Sequence, residues 1–217
     1  MSDRASTLPE ALPPESRPVG QLVAESIRLY GRRFWPSLAL GLSLAVVNQL
    51  SAGHRPGVQV VVLALGAPLL TASYIGACAL AYPEAPRRGW TALAAGTLVF
   101  VPAAFLQLVY VLPAVAWLAF FGFVVPAAAV EGAGLRESFH RSLALARADV
   151  VHALGGLATF ALVFGLTKGV LILLLRGQGD ATDRVALFLA DLVLSPLLFL
   201  GPALLYADQA ARSKLRA

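Results

Sequence analysis

The stretch TALAAGTLVFVPAAFLQLVYVLPAVAWLAFFGFVVPAAAV, residues 91–130, contains forty residues and no charged side chain. One helix of this length would measure about 60 Å at 1.5 Å per residue, twice the roughly 30 Å of hydrocarbon in a bilayer. The run therefore has to fold back on itself, and Pro113 lies near its middle. We expect a tight turn around residues 110–113, with Tyr110 near the lipid headgroups, between two membrane-spanning helices at 91–111 and 113–130.

The rest of the chain has the same character, because 58% of its residues are hydrophobic and 13% are charged. Average soluble domains carry about 25% charged residues, so this composition excludes a soluble globular domain, a disordered chain and a collagen-like chain. Further apolar runs predict spans at 34–52, 57–82, 150–175 and 184–207. The sequence thus predicts an all-α polytopic membrane protein with six transmembrane helices.

Basic residues in the connections between these spans fall mainly on one side of the membrane. Thirteen lie on one side, namely Arg4, Arg17, Arg28, Arg32, Arg33, Arg87, Arg88, Arg136, Arg141, Arg147, Arg212, Lys214 and Arg216. Three lie on the other side, namely Arg55, Arg176 and Arg184. The positive-inside rule then predicts a multi-pass protein of the cell membrane with both termini in the cytoplasm. The net charge of +5 is interpreted as a topology signal and not as affinity for nucleic acid.

Three segments follow from composition. Residues 1–18 carry four prolines and predict a disordered, proline-rich cytoplasmic tail. Residues 19–210 form the predicted membrane domain, and residues 211–217 a basic cytoplasmic tail. Within the membrane domain, the halves 19–82 and 134–207 are similar enough to suggest an internal repeat.

The repeat rests on two amphipathic segments, ESIRL at residues 25–29 and RSLAL at residues 141–145, which are 116 residues apart. Each segment has an apolar face at helical spacing and precedes a span. The apolar faces comprise Leu22, Val23, Ser26, Ile27 and Tyr30 in the first, and Leu135, Ser138, Phe139, Ser142, Leu143 and Ala146 in the second. We expect two interfacial helices that either lie on the lipid surface or dock on the cytoplasmic face of the bundle. Their arginines would face anionic lipid headgroups on the cytoplasmic side, namely Arg28, Arg32, Arg33, Arg136, Arg141 and Arg147.

These segments also resemble a known family. GQLVAESIRLYGRRFWPSLAL at residues 20–40 resembles the opening of the glycerophosphoryl diester phosphodiesterase membrane-domain family, and FVVPAAAVEGAGLRESFHRSLALARADVVHALGGL at residues 123–157 resembles its central signature. The matching positions are Pro126, Glu131, Gly132, Ser142 and Leu143. The resemblance implies a multi-span membrane domain that some relatives fuse to a phosphodiesterase, and this chain lacks that catalytic domain.

Two charged residues stand inside the predicted spans, Lys168 in the fifth and Asp191 in the sixth. In an antiparallel hairpin they lie at matched depth, roughly 10–12 Å inside the membrane boundary. An unpaired charge there costs at least about 2.5–3.5 kcal/mol, which favours pairing. The pair is interpreted as a structural bridge, a proton or ion relay, or a substrate contact in a cavity. A lone Lys168 that extends to the interface is the remaining alternative.

Enzyme signatures such as HExxH, GxSxG and Walker A are missing from the sequence, and no cofactor or metal site is expected. The favoured hypothesis is a non-catalytic membrane scaffold or accessory domain that acts on lipids or protein partners. The alternative is a small transporter or permease that uses Lys168 and Asp191; an integral enzyme of lipid metabolism ranks third. Gly165 and Gly169 form a GxxxG motif that would suit a homodimer. The surroundings of Lys168 discriminate between the scaffold and the transporter, because a sealed pair favours a scaffold and an open cavity favours transport.

Overall fold

The structure is a computed structural model that describes residues 12–85, 89–176 and 179–215. Within these ranges every regular element is a helix, which confirms the predicted all-α polytopic fold. A short 3₁₀ helix spans Pro14–Ser16. The α-helices are α1 (Val19–Arg32), α2 (Phe34–Ser51), α3 (Pro56–Ala81), α4 (Gly89–Val109), α5 (Val111–Phe121), α6 (Val124–Val130), α7 (Leu135–Ala148), α8 (Val150–Leu174), α9 (Asp180–Leu194) and α10 (Pro196–Leu215).

Five helical stretches in the described part of the chain are long and apolar enough to cross a membrane. They are Pro56–Ala81, Gly89–Gln107, Val111–Val130, Val150–Leu174 and Ala181–Leu215, which correspond to five of the six expected spans. The expected span at 34–52 is helical as α2, but it is not one of these five. Its polar residues lower its hydropathy, namely Ser37, Ser43, Asn48, Gln49 and Ser51.

The long uncharged run folds back where the sequence indicated. Helix α4 ends at Val109, Tyr110 is extended, and α5 begins at Val111. Across this hairpin the indole N–H of Trp117 donates a hydrogen bond of 2.9 Å to the backbone carbonyl of Val99. Tyr110 is 74% exposed, as a residue at a membrane boundary would be.

Two of the spans are interrupted, each close to a proline, Pro126 or Pro196. Between α5 and α6 the chain leaves regular helix at Gly122 and Phe123, and between α9 and α10 it does so at Ser195. Pro196 begins α10, where the missing backbone N–H is tolerated because the first turn of a helix leaves its donors unpaired. Each of these spans is therefore built from two successive helices.

Helices α6 and α10 form the centre of the bundle. All residues from Val124 to Ala129 are buried, and α10 buries side chains along most of its length. By contrast, α8 lies at the periphery, since 6% of its most apolar 18-residue stretch is buried. Its buried residues are His152, Ala153, Gly156 and Phe160, all in its first half. The second half of α8 faces its surroundings, and these are lipid if the bundle spans a membrane.

Both amphipathic helices dock on the same end of the bundle, which we call the basic end. Helix α1 buries Leu22 and Ser26, and α7 buries Ser138, Ser142, Leu145 and Ala146. Two residues expected on the apolar faces are instead exposed, Ile27 at 52% and Leu135 at 41%. Helices α1 and α7 have 14 residues each and begin 116 residues apart, and α2 and α8 follow after one intervening residue. This register matches the offset of the proposed repeat.

The end of the predicted proline-rich tail contacts the bundle. The 3₁₀ helix at Pro14–Ser16 is followed by Arg17, whose guanidinium lies 2.9 Å from the Asp208 carboxylate. Because Asp208 is fully buried, this contact holds the chain against α10 before α1 begins. The disordered tail at residues 1–18 stays a prediction, and residues 1–11 lie outside the described part.

Candidate functional site: a cavity beside an intramembrane charge pair

A cavity of about 460 Å³ lies inside the bundle. Its walls come from α2, α3, α4, α5, α6, α8 and α10, and most of the residues that line it are apolar. Its volume falls in the range of about 300–1,000 Å³ that is typical of pockets for small molecules. The break between α5 and α6 reaches the wall, because Gly122 and Phe123 both line the cavity.

One face of α8 forms a continuous side of this cavity. The lining residues on α8 are Leu157, Phe160, Ala161, Phe164, Gly165 and Lys168, which follow the spacing of one helical face. From first to last they cover about 16 Å at 1.5 Å per residue. The cavity thus extends along about half the roughly 30 Å thickness of a bilayer's hydrocarbon core.

Lys168 and Asp191, the two charges inside the spans, form an ion pair in the structure. The Lys168 Nζ atom lies 2.8 Å from Asp191 Oδ1. The same ammonium sits 5.3 Å from the centre of the Phe164 ring, within the distance of a cation–π contact. The two helices that carry the charges, α8 and α9, are joined through this contact.

Asn48 completes the site from a third helix, α2. Its side-chain amide donates a hydrogen bond of 2.9 Å to Asp191 Oδ2, so each carboxylate oxygen has its own partner. The two charges differ in access, because the Asp191 side chain is 3% exposed and the Lys168 side chain 21%. Lys168 and Asn48 line the cavity, whereas Asp191 lies behind them. The sequence gave no signal for this partner, because Asn48 lies 143 residues from Asp191.

Two more polar side chains reach the cavity. Tyr74 on α3 is 3% exposed, and its hydroxyl has no hydrogen-bond partner among the described residues. Gln107 on α4 lines the cavity near the end opposite the basic end. Among the described lining residues, Lys168 is the one with a charge, and the cavity is otherwise apolar apart from these amides and hydroxyls.

The glycines of the GxxxG motif do not contact another helix. A Cβ atom added at Gly165 or Gly169 would meet nothing within 4 Å. Close helix contacts occur elsewhere, at Gly41 against the backbone of Leu192 and at Gly201 against the Phe160 ring. The homodimer that the motif suggested stays a prediction.

A second charged cluster lies at the basic end, and sequence reasoning missed it. Asp208 is fully buried between Arg17, at 2.9 Å, and His152, whose Nε2 lies 3.6 Å from Asp208 Oδ2. Arg212 lies 2.8 Å from the Asp149 carboxylate and also donates to the Arg17 backbone carbonyl at 2.9 Å. The signal was weak because each of these residues stands alone in the sequence, far from its partners.

Asp149 caps α8 and is tied to α10. Its carboxylate accepts a hydrogen bond of 3.0 Å from the backbone N–H of His152. Burial of the Asp149 carboxyl opposes ionisation, but the His152 N–H and the Arg212 guanidinium outweigh it and hold the pKa of Asp149 below its usual value. The ionised carboxylate therefore stabilises the junction between α7 and α8.

The residues of the family-like signature have structural roles at the same end. Arg141 binds Glu131 through two hydrogen bonds of 3.1 Å, and this contact raises the pKa of Arg141. Gly132 has φ of +70°, which side chains disfavour, in the turn after α6. The Ser142 hydroxyl donates a hydrogen bond of 2.7 Å to the Phe120 carbonyl, and Pro126 is buried in α6.

The remaining arginines of the two amphipathic helices lie at the surface. Arg32, Arg33, Arg136 and Arg147 are exposed, and Arg28 is partly exposed beside Glu25 at 2.8 Å. Arg141 is engaged by Glu131. These four exposed arginines therefore remain available to phosphate groups, whereas Arg141 is paired with Glu131 at the surface.

Within residues 12–85, 89–176 and 179–215, no group of three or more histidine, cysteine, aspartate or glutamate side chains could hold a metal ion. Comparison with family models, curated proteins and solved structures finds no match to this chain. The cavity and the Lys168–Asp191 pair are therefore the features of the chain that bear on its function.

Proposed function

We propose that this chain is a non-catalytic membrane accessory protein that holds an amphipathic, lipid-like molecule in its internal cavity. The observation that supports this proposal is a single ammonium group, Lys168, on the wall of an otherwise mainly apolar cavity. Amphipathic molecules combine an apolar chain with a polar head, and this wall offers a matching surface for each part.

The proposal is tested by filling the cavity. Ala161 lines the cavity, so Ala161→Trp should occupy part of it, whereas Leu162 is 61% exposed on the other side of α8. We expect radiolabelled hexadecanol, a neutral probe, to bind wild-type protein saturably in nonionic micelles. Ala161→Trp should lower this binding about tenfold or more, and Leu162→Trp should leave it unchanged. Non-saturable binding, or equal loss in both variants, would refute the proposal.

The alternative function is a small transporter or permease that uses the Lys168–Asp191 pair. It is favoured by the position of Lys168 on the cavity wall, because a cavity beside the pair is the arrangement expected of a transporter. The two interrupted spans also favour it, because transporters often place their sites where helices are discontinuous. The test is movement of a bound amphiphile between leaflets in proteoliposomes. Transport requires transfer by wild type above that of protein-free vesicles and a loss of transfer in Lys168→Gln with Asp191→Asn. Saturable binding without transfer supports the accessory role.

We also propose that the protein lies in the cell membrane with both termini in the cytoplasm. Arg212 donates to the Arg17 carbonyl, so both ends of the described chain lie at the basic end. A chain that begins and ends on one side must cross an even number of times. The five strongly apolar spans therefore need a sixth crossing, and α2, which packs between α3 and α9, supplies it.

Labelling of introduced cysteines checks this orientation. The chain has one cysteine, Cys78, which is buried and can be replaced by alanine. Arg136→Cys at the basic end should react with a membrane-impermeant maleimide after the cells are opened. His54→Cys at the opposite end should react on intact cells, since both positions are exposed. The reverse pattern would overturn the orientation.

A further inference from the structure

The cavity presents the positive end of a buried ion pair. The Asp191 carboxylate is 3% exposed and is held by Lys168 and Asn48, whereas the Lys168 side chain is 21% exposed and lines the cavity. A molecule inside the cavity therefore meets the ammonium and is shielded from the carboxylate. In surroundings of low dielectric this difference favours an electron-rich head group.

The Lys168 ammonium has donors to spare. A lysine carries three N–H donors, and Asp191 Oδ1 is its ion-pair partner at 2.8 Å. The Phe164 ring makes a cation–π contact with the ammonium, but it does not accept hydrogen bonds from all of the remaining N–H donors. An incoming anionic oxygen can therefore bind Lys168 while Asp191 stays in place, held on its other oxygen by Asn48.

The shape of the cavity limits the apolar part of the ligand. Below Lys168 the α8 face runs through Phe164, Ala161 and Phe160 to Leu157, over about 16 Å, without another charged side chain. This length matches the chains of one leaflet, because the whole hydrocarbon core is about 30 Å thick. The cavity offers this one apolar face beside a single charge, and its volume of about 460 Å³ falls in the range of pockets that hold one small molecule.

We infer that the ligand is a single-chain amphiphile with an anionic head, a carboxylate or a phosphate, which binds Lys168 while its chain lies along α8 toward Leu157. This inference rests on the proposed function and adds the class of ligand to it. The carboxylate source would be a free fatty acid and the phosphate source a monoalkyl phosphate, and both offer the same anionic oxygens to the ammonium.

The experiment compares probes that share one chain and differ in the head. Unlabelled palmitate, hexadecyl phosphate, hexadecanol and hexadecyltrimethylammonium compete with radiolabelled hexadecanol for the protein in nonionic micelles, at a pH where the acids are ionised. A charge-assisted hydrogen bond should give the anionic probes about a tenfold advantage over hexadecanol. The cationic probe should compete more weakly than hexadecanol.

The chain offers a matched control, because Lys168 and Lys214 are its two lysines and Lys214 is exposed near the C-terminal end of α10. Lys168→Gln should abolish the preference for anionic heads, and Lys214→Gln should retain it. Since Lys168→Gln leaves a buried carboxylate without its cation, the double variant with Asp191→Asn is measured as well. It replaces the pair by two neutral amides, and we expect it to bind all heads like hexadecanol.

Each outcome discriminates. A preference of wild type for palmitate or for hexadecyl phosphate supports the inference and identifies the carboxylate or the phosphate as the better head. Equal binding of all heads by wild type, or a preference that survives in the folded double variant, overturns the inference and leaves the proposed function intact. Failure of every probe to bind saturably overturns the proposed function itself.

Discussion

Loss of either partner of the Lys168–Asp191 pair should destabilise the protein, but by unequal amounts. Removing Lys168, as in Lys168→Met, leaves the Asp191 carboxylate with Asn48 as its remaining partner and with 3% of its side chain exposed. Removing one partner of a buried pair typically costs about 3–5 kcal/mol, because the other charge stays buried. We expect Lys168→Met to fall in this range.

Asp191→Leu should cost less, at about 2–3 kcal/mol. It removes the ion pair at 2.8 Å and the hydrogen bond from Asn48 at 2.9 Å. Hydrogen bonds to charged groups contribute about 1.5–3 kcal/mol each, but the remaining ammonium can turn into the cavity on its flexible stem and recover some solvation. The difference between the two single variants measures this freedom of Lys168.

The double variant Lys168→Met with Asp191→Leu should be close to wild type, within about 1–2 kcal/mol, because no uncompensated charge remains. The assay is equilibrium unfolding in mixed micelles, from which the free energy of unfolding is obtained for all four proteins. A coupling energy near zero, with the two single changes adding up in the double variant, would refute the reasoning. A larger cost for Asp191→Leu than for Lys168→Met would refute the asymmetry.

Two further predictions concern packing and pH. Gly41→Ala should destabilise the protein by about 1–3 kcal/mol, because the new Cβ would overlap the Leu192 carbonyl, whereas Gly165→Ala should have little effect on thermal stability in micelles. Because the pKa of Asp149 is lowered in the folded protein, its contribution to stability is present above its unfolded pKa of about 3.9 and is lost as the pH falls through the lower folded value. Unfolding measured against pH should show this acid loss, and Arg212→Gln should reduce it; an unchanged acid profile in Arg212→Gln would contradict this assignment.

Local features of the sequence predicted the parts of the fold that depend on distance along the chain. The turn at Tyr110 follows from the length of the uncharged run, because forty residues exceed one membrane crossing. The common depth of Lys168 and Asp191 follows from the hairpin that carries them. The structure places the Lys168 Nζ atom 2.8 Å from Asp191 Oδ1. Both conclusions need the rise of a helix and the thickness of a bilayer, and nothing about side-chain packing.

Features that depend on packing between distant segments could not be predicted. Asn48 reaches Asp191 from 143 residues away, and Arg17 reaches Asp208 from 191 residues away. The breaks at Gly122 and Ser195 also depend on neighbours, since proline and glycine are frequent in continuous spans as well. Hydropathy does not distinguish a helix face that meets protein from one that meets lipid, because lipid tails are as apolar as leucine.

Because hydropathy does not distinguish these two kinds of helix face, the sequence of α8 says the least about its function. Apart from Lys168 its sequence is apolar, yet its buried residues end at Phe160. Within its described second half, the salt bridge from Lys168 to Asp191 is the ionic contact that joins α8 to a neighbouring helix. That half therefore borders the cavity on one face and its surroundings on the other. A ligand that binds Lys168 therefore contacts the group that ties α8 to α9.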